Sequence, residues 1–253
     1  MNKVLELFGE PTATHAHDWA ATCKKSWCPY LDRVCLKNRK SRPDILIGTC
    51  TVAYGTNTSP IIICPHRLLQ RKQIFSDCLQ MLTLHEPGNE IHVVPEIAVP
   101  GGSVDYFLVS ARKGKVRDFV GIELQTLDTT GTVWPARQRF LKSVGLKVIR
   151  GDIAGTRTFG MNWKMTAKTT LVQLHHKVRT FEHLSKRLVL VVQDCFLEYM
   201  QRNFDFGHMT DPRLGDPMHI HAYSATASDS GITLELARRV STDADGIARC
   251  LGM

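Results

Sequence analysis

No run of this 253-residue chain is apolar for long enough to cross a bilayer: the longest, such as LVLVV at 188–192, falls far short of the roughly 18 residues a spanning helix needs. Glycine never gathers into a P-loop or a dinucleotide-binding fingerprint, which argues against chemistry driven by a bound nucleotide. Internal repeats and low-complexity tracts are missing too, so solenoids and long disordered tails are excluded. The first ten residues, MNKVLELFGE, carry an early glutamate and lack an apolar core, which speaks against a signal peptide and for a cytoplasmic protein. No paired C-x-x-C occurs, so the zinc-ribbon pattern is absent as well.

Basic charge is plentiful. The formal net charge is +8 and the sequence pI about 9.1. It is unevenly spread, with five Lys or Arg against nine Asp or Glu after Leu190 and 27 against 15 before it. An excess of this kind suits a polyanionic partner, because each neutralised phosphate releases counterions. A soluble protein with an ordinary basic surface accounts for it equally well.

Cysteine is abundant and clustered: six of eight, Cys23, Cys28, Cys35, Cys50, Cys64 and Cys78, fall in the first third. In a reducing compartment such density points to thiols or to a tetrahedral thiolate site rather than to disulfides. Cys28, Cys35, Cys50 and Cys64 follow the spacing C-x6-C-x14-C-x13-C. Cys78 sits in a helix-like run, RLLQRKQIFSDCLQML, and is expected to pack in the core.

The stretch that organises the chain is residues 104–128, VDYFLVSARKGKVRDFVGIELQTLD. Two strand-like runs bracket a basic turn with Gly114 at its tip, the pattern of a hairpin. From Val120 the residues alternate, so Glu123 and Gln125 share a face, and an antiparallel partner brings Asp105 towards Glu123. Two carboxylates brought together repel unless a hard cation lies between them, so Asp105 and Glu123 are candidate magnesium ligands for phosphodiester hydrolysis. Gln125 is expected to position water, and Glu96, in HVVPEIAVP, to add a further carboxylate. A Glu-x-Gln pair on a strand and an aspartate at a strand start also occur as plain surface and turn residues.

The pattern D-(x17)-E-x-Q resembles the PD-(D/E)xK nuclease signature with glutamine in place of lysine. Together with LFG, CPYL, GTCTV, ICPHRLL, GIELQTLD and NWKMTAKTTLVQLHHK, it makes the chain similar to the NotI-like type II restriction endonucleases, in which Glu-x-Gln is the expected form. The resemblance implies an α/β fold: a restriction-endonuclease-like core with a mixed central sheet flanked by helices, plus a small N-terminal metal-binding region. It implies catalytic roles for Asp105, Glu123, Gln125 and Glu96. It also selects Cys28, Cys35, Cys50 and Cys64 as ligands of a structural iron or zinc ion. That ion is expected to fix basic residues, Arg67 among them, against DNA. Lys168 and Gln173 match a lysine and a glutamine on the family's long helix.

The rest of the chain is read as support. A helix over 135–144, with Arg137, Arg139 and Lys142 on its exposed side, is expected to lead into a short strand, KVIRG. Residues 162–187 form a long basic helix with a stripe of Leu171, Leu174, Val178 and Phe181. His175 and His176, adjacent on that helix, do not share a face. A buried strand, a helix, two further strands and a final helix from Asp243 complete the chain. His219 and His221 are expected as exposed strand residues. The organisation expected is a metal-binding region over 1–90 and a nuclease core over 91–253.

The implied activity is magnesium-dependent cutting of double-stranded DNA at a GC-rich palindrome by a homodimer, with a cognate DNA methyltransferase acting on the same site and no membrane partner. The alternatives are a low-specificity phage or defence nuclease, and a metal-stabilised DNA-binding protein that no longer cuts.

Overall fold

The alternation around Glu123 becomes a strand, Lys115–Leu124, folded back on Gly102–Arg112 in the computed structural model of the protein, which describes residues 2–14, 17–154, 159–209, 211–228 and 231–253. The chain divides into two units. One combines Met1–Arg71, Thr126–Asn162 and Ala225–Leu234; the other combines Lys72–Gln125, Trp163–Ser224 and Glu235–Met253.

The second unit holds a six-stranded mixed sheet, in spatial order Gly231–Thr242, Met218–Ser228, Arg187–Gln193, Lys115–Leu124, Gly102–Arg112 and Glu90–Val99. The first two of these strands contribute residues 235–242 and 218–224 to this unit. Arg187–Gln193 runs parallel to both of its neighbours, and the hairpin and its edge strand pair antiparallel. A strand with neighbours on both sides reads as a continuous apolar run when its faces are also covered. RLVLVVQ does so, with only its first residue outside the buried set.

The helix Trp163–His183 lies over this sheet through Ala167, Leu171, Leu174, Val178 and Phe181, the three- and four-residue spacing of one helical face. Gly121 admits it: a Cβ there would stand 2.5 Å from Phe181, whose ring stacks on Phe107. The helix is thereby held close to the strand, two residues from Glu123. Among the described residues no helix is long and apolar enough to cross a membrane.

His219 and His221 depart from the expected exposure. Both are wholly buried, because their strand is interior to the sheet. His221 faces Cys78 at 3.9 Å from Nδ1, while His219 Nε2 lies 2.9 Å from the Asp216 carbonyl. Burial, then the charges of Arg239 and His219, push the His221 pKa down to about 3.

The first unit holds an antiparallel sheet in the order Glu10–Pro11, Val4–Leu7, Thr49–Tyr54, Ser59–Ile62, with two small hairpins, Trp27–Cys28 on Arg33–Val34 and Asn38–Arg39 on Arg42–Leu46. Its core contains a charge pair. Arg67 Nε donates to Glu6 Oε2 at 2.7 Å, with both side chains essentially inaccessible. Thr51 also donates to that carboxylate, Arg67 donates to the Ile232 carbonyl, and its guanidinium lies over the Tyr30 ring at 5.0 Å. Arg67 is therefore a core residue rather than one of the basic residues expected to be fixed against DNA by the metal site.

Arg137 departs in the same way. It lies on the buried side of the helix Trp134–Ser143, donates to the Ile47 carbonyl at 2.7 Å and packs against Trp134. Arg139 and Lys142 are exposed as expected. No strand forms over KVIRG. Gly145, at φ +87°, closes the preceding helix, and Leu146 N–H reaches back to the Leu141 carbonyl at 2.9 Å. That cap turns the chain into a one-turn helix, Arg150–Ile153.

Removing one partner of a buried pair strands the other charge, so Arg67→Met should lower the unfolding free energy by about 3–5 kcal/mol. Adding Glu6→Leu should restore most of that; a single variant that unfolds in denaturant like the parent counts against the pairing. Acid should also weaken the fold. The unfolded chain takes up protons at His221 below about pH 6.5 while the folded chain resists until about 3, so stability is lost as pH falls through that window, at up to about 1.4 kcal/mol per pH unit for one histidine. Melting at pH 7.5, 6 and 5 should show a shallower slope for His221→Asn than for the parent.

Candidate functional site

The hairpin ladder ends with Tyr106 opposite Ile122, and Asp105 and Glu123 lie one residue beyond it on their two strands, near enough for the Asp105 charge to act on Glu123. Asp105 Oδ2 accepts from the Leu124 backbone N–H at 2.7 Å, which fixes the aspartate against the strand carrying the glutamate. Gln125, just past the strand end, is anchored by its own N–H to the Val191 carbonyl at 3.0 Å. Glu123 and Gln125 line one pocket, together with Thr170, Gln173 and Lys177 of the long helix.

Glu96 lies in the edge strand between Pro95 and Ile97, which pair with Tyr106 and Val104, so it falls in the row of Asp105 and Glu123. It is exposed, with φ at +49°, and does not line that pocket.

Glu123 is largely buried, and Lys177 meets it. Lys177 Nζ donates to Glu123 Oε1 at 2.6 Å and to the Ser103 carbonyl at 2.6 Å. Burial raises the Glu123 pKa most; Lys177 opposes the rise and the Asp105 charge adds to it, leaving the carboxyl at about 7. Such a carboxyl gains from any further cation. Sequence reasoning misses Lys177, although it selects Gln173, one helical turn earlier. Lys168 is exposed on the same helix and does not reach the pocket.

The four cysteines with metal-like spacing meet in the first unit. Cys28, Cys35, Cys50 and Cys64 line one cavity with His66 and Lys37. The interaction of Cys50 with Cys64 pulls the Cys64 pKa down to about 6 and pushes that of Cys50 up. Burial pushes Cys28 and Cys35 up. All eight cysteines are free thiols. Among the described residues no three His, Cys, Asp or Glu side chains are drawn together as a metal-holding group. The thiols thus share a cavity without being closed into a chelate. The remaining four lie apart: Cys23 beside Arg137, Cys78 beside His221, and Cys195 and Cys250 in or at helices of the second unit.

A wide cleft of about 960 Å³ also opens in the first unit. One wall is the basic segment with Lys37, Arg39 and Lys40, and another is the stretch from Leu127 to Trp134. Arg39 lies over the Trp134 ring at 4.5 Å and pairs with Asp152 at 3.2 Å, so one guanidinium is pre-positioned on an aromatic face.

Compared with known proteins, the chain matches the family model described as restriction endonuclease NotI over residues 20–214, a span that includes the hairpin, the long helix and the four cysteines. No curated protein matches it.

Proposed function

The chain belongs to the restriction endonuclease NotI family, and we propose that it is a type II restriction endonuclease that hydrolyses phosphodiester bonds of double-stranded DNA at a GC-rich palindrome. The observation that carries this reading is Asp105 close to Glu123 at the end of the hairpin, with Gln125 in the pocket that Glu123 lines, inside the family-matched segment. GC-rich recognition comes from the resemblance; arginine or lysine reading guanine in the major groove would be the means. A homodimer matches the symmetry of a palindrome, and a methyltransferase of the same specificity would protect the host's own sites.

Asp105 and Glu123 are the residues that would hold magnesium. Their donor set suits it: carboxylate oxygens, one of them on a buried acid with a raised pKa. When bound, the ion would polarise the scissile phosphate and offset its charge. The chain's own groups do the rest. The Leu124 amide keeps Asp105 in place, and the Gln125 and Gln173 amides can orient water and a phosphate oxygen in the pocket they line. Glu96, on the same sheet row, could add an outer carboxylate.

Cys28, Cys35, Cys50 and Cys64 would hold the structural iron or zinc. Four sulfurs around one cavity, with the Cys64 thiol drawn down to about 6, suit a soft thiolate site, and four thiolates leave no open position for water. The basic cleft with Arg39 and Lys40 in the same unit offers a surface for the DNA backbone.

Long DNA incubated with the purified protein and magnesium should yield discrete fragments, and none with EDTA. A smear would favour the low-specificity nuclease, and binding without cutting the inactive DNA-binding protein. Asp105→Asn and Glu123→Gln should each slow cutting about 1,000-fold or more, the loss expected when several kcal/mol of charge stabilisation is removed, with DNA binding retained. Cys50→Ser should lower iron or zinc per chain, measured by elemental analysis, together with the melting temperature; an unchanged metal ratio would remove the quartet from that role.

A further inference from the structure

Lys177 is an unusual member of the stripe it occupies. Its neighbours on that face, Leu171, Leu174, Val178 and Phe181, are buried for their apolar surface, and an ammonium among them is costly unless its charge is met. Two of its three N–H donors go to Glu123 Oε1 and the Ser103 carbonyl, both on the carboxylate hairpin. Among the described residues the third meets no acceptor, and Lys177 lines a pocket with Glu123, Gln125 and Gln173.

The turn ahead of Asp105 is shaped around this lysine. Gly102, at φ +137°, would with a Cβ stand 3.2 Å from Lys177 Cε. Gly101, at φ +91°, would press to 3.0 Å against the His176 backbone. Both conformations favour glycine, and both glycines let the hairpin end close on the helical turn that carries the lysine. Just past the strand end, the position two beyond Glu123 and lining the same pocket holds neutral Gln125.

We infer that Lys177 is the phosphate-facing ammonium of this site. From the helix it holds Glu123 in place and offers its remaining N–H to a non-bridging oxygen of the scissile phosphate, supplying a charge that Gln125 cannot supply from the strand end. This rests on the nuclease reading above. The competing role is a plain counterion that neutralises Glu123 in the DNA-free protein and contributes nothing to cutting.

Single-turnover cutting with magnesium, duplex binding by anisotropy with calcium, and thermal melting separate the two, measured on the parent, Lys177→Met, Lys177→Gln and Lys177→Met with Gln125→Lys. Lys177→Gln keeps an N–H for Ser103 but no charge, and takes the place of the methionine variant should that one fail to fold. Cutting should slow about 100-fold in the charge-free variants, the usual loss for one preorganised donor. Duplex affinity should change by less than about threefold, since one ammonium is a small part of the phosphate contacts. Gln125→Lys, which returns an ammonium to the same pocket from the strand end, should recover cutting at least about tenfold, a gain that a merely structural lysine would not allow. Parental rates in a charge-free variant, or a folded double variant no faster than Lys177→Met, overturn the inference alone. A parent that cuts no DNA overturns the nuclease reading and the inference with it.

Discussion

Pairing of Gly102–Arg112 with Lys115–Leu124 is the constraint on which the candidate site depends. In an antiparallel ladder a slip of one residue moves every side chain to the other face, so the same sequence in another register would turn Asp105 away from Glu123. Several features hold this register. The Leu124 N–H bond to Asp105 Oδ2 ties one carboxylate to the other's strand. Phe107 and Phe119 meet diagonally across the hairpin with ring centroids 5.6 Å apart, and Phe181 of the long helix stacks on the first. Lys177 then spans from the helix to both strands, bonding Glu123 on one and the Ser103 carbonyl on the other. Packing and chemistry are therefore set by the same three elements.

The sequence was legible wherever a residue's environment follows from local periodicity. The hairpin, the long helix, the strand at Arg187–Gln193 and the final helix appear where alternation or three- and four-residue spacing puts them. Glu123 and Gln125 share a pocket for the same reason. It was not legible where long-range packing decides. Lys177 carried a signal, a lysine on the apolar stripe of an amphipathic helix, but the stripe cannot say which carboxylate the charge will meet. His219 and His221 read as a strand alternation open to solvent until the sheet order encloses their strand on both sides. KVIRG is apolar enough for a strand, yet the glycine cap before it redirects the chain.

Basic residues illustrate the limit of composition most clearly. Counting lysines and arginines treats them as surface, and Arg39, beside the cleft, fits that use. Arg67 and Arg137 do not. The first is consumed by Glu6, the Ile232 carbonyl and the Tyr30 ring, the second by the Ile47 carbonyl and Trp134. A planar guanidinium can satisfy several partners at once and stack on an aromatic ring, so arginine can be buried where lysine would be left with unmatched donors. Net charge therefore overstates the positive surface available to a polyanion, and the cleft residues are a better guide than the total.

The same reasoning applies to the carboxylate site in the opposite sense. Burial alone would favour a protonated Glu123, and Asp105 adds repulsion; Lys177 draws the carboxyl back to a pKa of about 7. Had a second lysine stood at position 125, the pocket would carry two ammonium groups close to one carboxylate, and the hold on the proposed magnesium ion would weaken with each. A neutral amide at 125 leaves that charge balance open. On this view the glutamine at 125 and the lysine on the helix are two halves of one arrangement, in which the protein's own positive charge enters the pocket from a single side.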